Sequence, residues 1–152
     1  METYIKQNIY FIMNQRGIST SKLSEKSHIS ERTLSDILNL KTIDYNPRLS
    51  TLYSIANSLD VKLLDLFVRS ENMDWSQDTD LSQDEYLQIL RGNFSKSING
   101  KRHNAVSIYP DLSESTISKI LSGYETNPKL LTIEAISRVT QMSISELFTR
   151  GG

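Results

Sequence analysis

The stretch ISERTLSDILN at residues 29–39 returns as LSESTISKILS at residues 112–122, and this repetition constrains the fold more than any other feature of the chain. Identical residues stand at Ser30/Ser113, Glu31/Glu114, Thr33/Thr116, Ser35/Ser118, Ile37/Ile120 and Leu38/Leu121. A looser pair follows, NPRLSTLYSIANSLDVKLLDLF at 46–67 against NPKLLTIEAISRVTQMSISELF at 127–148. The offset drops from 83 to 81 between the two pairs, so a loop is two residues shorter in the second copy. Such a sequence folds as two copies of one small unit, and 152 residues with 38% hydrophobic content suffice for two packed cores.

Each copy reads as five short helices, and no alternating apolar pattern competes for a strand, which predicts an all-α fold. In the first copy Ile5, Ile9, Ile12 and Met13 recur at helical spacing, and Arg16-Gly17 closes that helix. Ser19 is placed to cap a second helix over 20–27 with Leu23 inward. Ser30 caps a third over 31–39, with Leu34, Ile37 and Leu38 on its buried stripe. Asn46-Pro47 marks a loop, because the residue before a proline avoids the helical region. Helices near 49–59 and 62–67 complete the unit. The second copy repeats this order with a poorer second helix, since Pro110 falls where that helix finishes.

The net charge of −1 conceals a strong asymmetry. Residues 1–69 sum to +2, residues 70–85 to −6 with no base among them, and residues 86–152 to +3. The middle stretch, SENMDWSQDTDLSQDE, lacks apolar periodicity and reads as a linker. The expected organisation is a unit at 1–69, an acidic linker at 70–85 and a second unit at 86–152. There is no cysteine, which excludes disulfides and thiolate metal sites and fits a reducing cytosol. The opening METYIKQNIY is not a signal peptide, and no run of ~18 apolar residues occurs, so a cytoplasmic protein without a membrane span is expected.

Two short helices joined by a tight turn, the second capped by a polar residue and backed by three apolar ones, form the arrangement that presents a helix to the DNA major groove. STSKLSEKSHISERTLSDILN followed by NPRLSTLYSIANSLDVKLLDLF resembles the helix-turn-helix domain of the Cro/CI repressor (XRE) family over residues 3–67. Residues 86–148 are similar, but GKRHNAVSIYPD departs from the usual scaffold helix. The resemblance implies two five-helix, lambda-repressor-like domains in tandem. It further implies that Ser30 caps the recognition helix, that Glu31, Arg32, Thr33 and Asp36 face base edges, and that Ser19, Thr20, Ser21, Lys41 and Arg48 lie near phosphates. Two departures stand out in the first copy: Thr20 replaces a common glutamine, and LKTIDY replaces a glycine after the recognition helix.

The slots that differ between copies are Arg32/Ser115, Asp36/Lys119 and Asn39/Ser122. Arg32 suits the O6 and N7 edge of guanine, Asp36 the N4 amino group of cytosine, and Lys119 either guanine or phosphate. Each has a plainer alternative. Arg32 and Lys119 have the lesser alternative of solvated helix residues, and Asp36 that of the i+4 ion-pair partner of Arg32. Glu31 favours the helix dipole whether or not it reads a base. A second DNA site, if present, comprises Ser115, Thr116 and Lys119. His28 occupies the turn position usually held by glycine and is assigned to local backbone, His103 to a solvated basic loop, and Trp75 to packing or a partner.

No constellation for acid-base, nucleophilic or metal chemistry appears, so neither an enzyme nor a cofactor is expected. The leading function is a sequence-specific DNA-binding transcriptional regulator, repressor-like, of bacterial or phage type. Its partners would be double-stranded DNA and a second copy of the chain, a homodimer formed through residues 86–148. The irregular scaffold segment favours that dimerisation or partner-binding role for the second unit over DNA contact. The competing class is an interaction protein of the same fold, an antitoxin-like or phage-encoded inhibitor, to which the weak positive charge and acidic linker would suit a protein target.

Overall fold

The computed structural model describes residues 4–39, 46–68, 79–101 and 109–150. The chain divides into two compact units, Met1–Asp80 and Leu81–Gly152. Among the described residues there are eight α-helices, one 3₁₀ turn and no strand, and the fold is the all-α tandem that the repeat implies.

In the first unit α1 spans Ile5–Arg16 and buries Ile5, Ile9, Ile12 and Met13. Gly17 ends it in the left-handed region at φ 63°, where the absence of a Cβ removes the steric penalty. The next two helices are α2 at Thr20–Ser27 and α3 at Glu31–Leu38, followed by α4 at Leu49–Ser58. The segment expected as a helix over 62–67 is a 3₁₀ turn at Leu63–Leu66. The Asp65 carboxylate closes this turn by accepting the Lys62 amide at 2.8 Å. The amide of Leu63 is taken by the carboxylate of Asp80 at 2.9 Å, so the last residue of this unit returns to its 3₁₀ turn. The core is the apolar set Ile5, Ile9, Leu23, Leu34, Leu52, Ile55 and Leu66, all without solvent exposure. Full burial of each such side chain stabilises by ~2 kcal/mol before entropy is counted.

The second unit opens with α5 at Gln83–Ser97. The Ser82 hydroxyl accepts the Glu85 amide and the Glu85 carboxylate accepts the Ser82 amide, so Asp84 and Glu85 stand in the first helical turn. After it come α6 at Glu114–Ser122, α7 at Leu130–Thr140 and α8 at Ile144–Leu147, the last held by a second capping box between Ser143 and Glu146. Tyr86 of α5 meets Phe148 edge to face, with ring centroids 5.7 Å apart. The stretch 102–108, where a degraded scaffold helix and His103 are expected, lies outside the described residues, as do Trp75 and the part of the expected 70–85 linker up to residue 78.

Each first helix donates one buried asparagine to the end of its own unit. Asn8 Nδ2 reaches the carbonyls of Leu66 at 2.9 Å and Val68 at 2.7 Å. Asn93 Nδ2 reaches those of Leu147 at 2.8 Å and Thr149 at 3.0 Å. Both amides thus satisfy carbonyls that a terminal turn would otherwise bury unpaired.

Candidate nucleic-acid interface

The α2–α3 turn is built from short polar side chains. His28 adopts φ 60° and its backbone N–H bonds to the Ser24 carbonyl at 3.0 Å, so this position serves the backbone, as expected from its place in the turn. The Ser24 hydroxyl donates to the Ile29 carbonyl at 2.6 Å, and the Ser27 hydroxyl accepts the Ile29 amide at 3.2 Å. These bonds set where α3 begins relative to α2.

The Ser30 hydroxyl accepts the Thr33 amide at 3.1 Å and donates to the Thr33 hydroxyl oxygen at 2.9 Å. Thr33 keeps its own hydroxyl hydrogen available to an outside acceptor. Leu34, Ile37 and Leu38 are buried, while Glu31, Arg32, Thr33, Ser35, Asp36 and Asn39 are exposed. The four residues expected at base edges therefore lie together on the outward face of one helix. The alternative ion pair between Arg32 and Asp36 does not form among the described residues, which leaves both side chains extended into solvent.

Of the residues expected near phosphates, Ser19 caps α2 by accepting the Lys22 amide at 3.1 Å. Thr20 and Ser21 form its first turn, Thr20 half-buried and Ser21 exposed. Arg48 precedes α4 and is exposed. α2 packs on both α3 and α4, which gathers these positions around one helix-turn-helix. Lys41 and the LKTIDY loop lie outside the described residues.

The second unit repeats the presentation. Ser113 caps α6 by accepting the Thr116 amide at 3.1 Å, with Ser115 and Lys119 exposed and Thr116 half-buried. Gly123 closes α6 at φ 85°. The Lys119 ammonium sits 6.0 Å from the ring centroid of Tyr124, whose side chain is 78% exposed.

Sequence reasoning passed over Lys6, Asn8, Arg91 and Asn93. Lys6 Nζ donates to the carbonyl of Asn39, the residue that ends α3, at 2.6 Å, and partial burial lowers its pKa from the ordinary lysine value. Arg91 Nε donates to the carbonyl of Ile120 at 3.1 Å, and its Nη2 to that of Glu125 at 3.4 Å. A third offset, 85 residues, aligns Lys6 with Arg91 and Asn8 with Asn93, and that alignment is the signal that would have found them. On α7 burial pushes the Glu134 carboxyl above its ordinary range, Arg138 draws it partly back and Asp111 adds to the rise. No group of three or more potential metal ligands occurs among the described residues, and no helix there is long and apolar enough to cross a membrane.

Residues 8–72 match the family model of the Cro/C1-type HTH DNA-binding domain, and residues 111–147 match that of Helix-turn-helix. No curated protein and no solved structure matches the chain. The first match covers the whole of α2, α3 and α4, and the second begins just before the Ser113 cap and runs through α8. The chain is an XRE-type helix-turn-helix protein that carries two copies of the unit, and its family-level function is that of a DNA-binding regulator.

Proposed function

We propose that this protein is a sequence-specific transcriptional regulator, repressor-like, that inserts α3 into the major groove. The observation that carries the reading is the outward face of α3. Arg32, Thr33 and Asp36 stand free of one another's ion pairs on a helix whose opposite face, Leu34, Ile37 and Leu38, is locked in the core. Arg32 is suited to the paired acceptors of guanine, Asp36 to the amino donor of cytosine, and Thr33 to either kind of edge. Glu31 sits at the positive end of the helix dipole and serves the helix first. Ser19, Thr20, Ser21 and Arg48 would contact phosphates and set register, and Lys41 joins them in this reading.

A second architecture is favoured by α6. That helix is capped at Ser113, closed at Gly123 and exposed at Ser115 and Lys119, which supports groove contact by the second unit as well. One chain would then read an asymmetric site, without needing a partner to supply the second helix. In the other arrangement residues 86–148 join two copies, whose α3 helices would meet half-sites about 34 Å apart.

Selection from a randomised duplex pool at ~150 mM salt, with Arg32→Ala and Lys119→Ala in parallel, tests these readings. A motif enriched by the wild type and lost in the Arg32 variant supports the regulator. Loss of part of the motif in the Lys119 variant supports readout by the second unit. Absence of enrichment overturns the regulator and directs attention to a protein target, which the modest charges of +2 and +3 on the two halves would suit.

A further inference from the structure

The first helix of each unit carries one long cation that ends on the last carbonyls of its recognition helix or just beyond them. In the first unit Lys6 Nζ lies 2.6 Å from the oxygen of Asn39. In the second, Arg91 spans the corresponding corner, with Nε 3.1 Å from the oxygen of Ile120 and Nη2 3.4 Å from that of Glu125. The guanidinium also covers Gly123, where a Cβ would lie 3.5 Å from Arg91 Cζ.

The last four carbonyls of any α-helix, the C-cap's included, lack an intrahelical partner, and in α3 the last of them is that of Asn39. Partial negative charge accumulates at that end, so a cation there makes a charge-assisted bond. The other end of α3 is already set by Ser24, Ser27 and Ser30. The apolar stripe between, Leu34, Ile37 and Leu38, resists separation from the core. The Lys6 bond to Asn39 adds a directed contact at the far end, where it bears on the tilt of the helix. Readout of base edges tolerates roughly 0.5 Å of misplacement, so tilt bears directly on discrimination.

We infer that Lys6 and Arg91 are positioning residues for base readout, each pinning the distal end of its recognition helix, and that neither is primarily a phosphate ligand. This rests on the reading of α3 and α6 as groove-binding helices.

The full chain is compared as wild type, Lys6→Met, Lys6→Arg and Arg91→Met on the duplex that the wild type enriches and on a scrambled duplex of equal length. Affinities are measured across about 50–200 mM salt. Lys6→Met is expected to weaken the enriched duplex by ~10-fold, leave the scrambled duplex and the salt dependence unchanged, and be rescued by Lys6→Arg. Equal weakening on both duplexes with a salt slope reduced by about one identifies a phosphate ligand and overturns the inference. Unchanged binding overturns it as well. Amide exchange without DNA gives an independent reading: Ile37, Leu38 and Asn39 should exchange faster in Lys6→Met while Leu52 and Ile55 of α4 do not. Unchanged exchange at α3, or equal acceleration in both helices, overturns the inference. Should the wild type enrich no duplex, the regulator reading fails by itself and the exchange measurement alone decides the role of Lys6.

Discussion

The side-chain amide of Asn8 donates to the backbone oxygen of Leu66, 2.9 Å away and 58 positions later in the chain, and so ties the first helix of the unit to its last turn. Val68 accepts from the same nitrogen at 2.7 Å, and Asp65 lies at 3.5 Å. Asn93 does the same to Glu146, Leu147 and Thr149. Removal of the donor leaves buried carbonyls unpaired, so Asn8→Ala should cost ~2 kcal/mol and lower the melting temperature of its unit by roughly 10 °C. Asn8→Asp, nearly identical in shape, should be worse at neutral pH because a carboxylate faces carbonyl oxygens. Thermal melts of the two variants check the order, and an Asp variant as stable as wild type would show that shape alone matters here.

Arg32→Ala should weaken binding to the selected duplex by ~5–100-fold, the loss expected for one bidentate contact to guanine. Asp36→Asn should act differently. It exchanges an acceptor-only group for an amide that pairs with adenine, so the preferred base at one position should change from cytosine to adenine. Repeating the selection with each variant reads both outcomes, and an unchanged motif in the Asn variant would remove Asp36 from the readout.

His28 and Gly123 occupy the same left-handed region, at φ 60° and 85°, but only one of them is a glycine. The side chain costs His28 ~1 kcal/mol that glycine avoids, so His28→Gly should raise the melting temperature of the first unit by a few degrees. Gly123→Ala should lower that of the second by a similar amount. Opposite signs in paired melts are the expected result.

The native state holds the Glu134 proton to higher pH than the unfolded chain, whose value is near 4.5. Its contribution to stability is therefore present at acid pH and lost as pH rises through the raised folded-state value. Glu134→Gln removes the titration, and should stabilise the second unit at pH 7–8 and flatten its melting temperature between pH 4 and 8. Parallel slopes in variant and wild type would place the pH dependence elsewhere.

Much of this architecture was legible because its causes are local. Ser19 and Ser30 announce helix starts, Gly17 announces a stop, and Leu34, Ile37 and Leu38 define a buried stripe at a spacing that any short window contains. The outward placement of Arg32 and Asp36 was implied by the resemblance to the Cro/CI repressor family. Their failure to pair was not, because an i+4 pair between exposed groups is worth only tenths of a kcal/mol and solvent competes for both ends. The Lys6–Asn39 and Asn8–Leu66 bonds were invisible for another reason. They join ordinary residue types across 33 and 58 positions and terminate on backbone atoms, which leave no trace in the identity of the acceptor residue.

That last property bears on how such a protein changes over time. Lys6, Arg91, Ser24 and the two asparagines all grip main-chain oxygens, which every residue possesses. Arg32 and Asp36 on α3 and Ser115 on α6 are therefore spectators to the forces that hold those helices. Duplicated helices built this way can exchange their outward residues one at a time while the frames that carry them stay unaltered, and such residues of one should be transplantable onto the other.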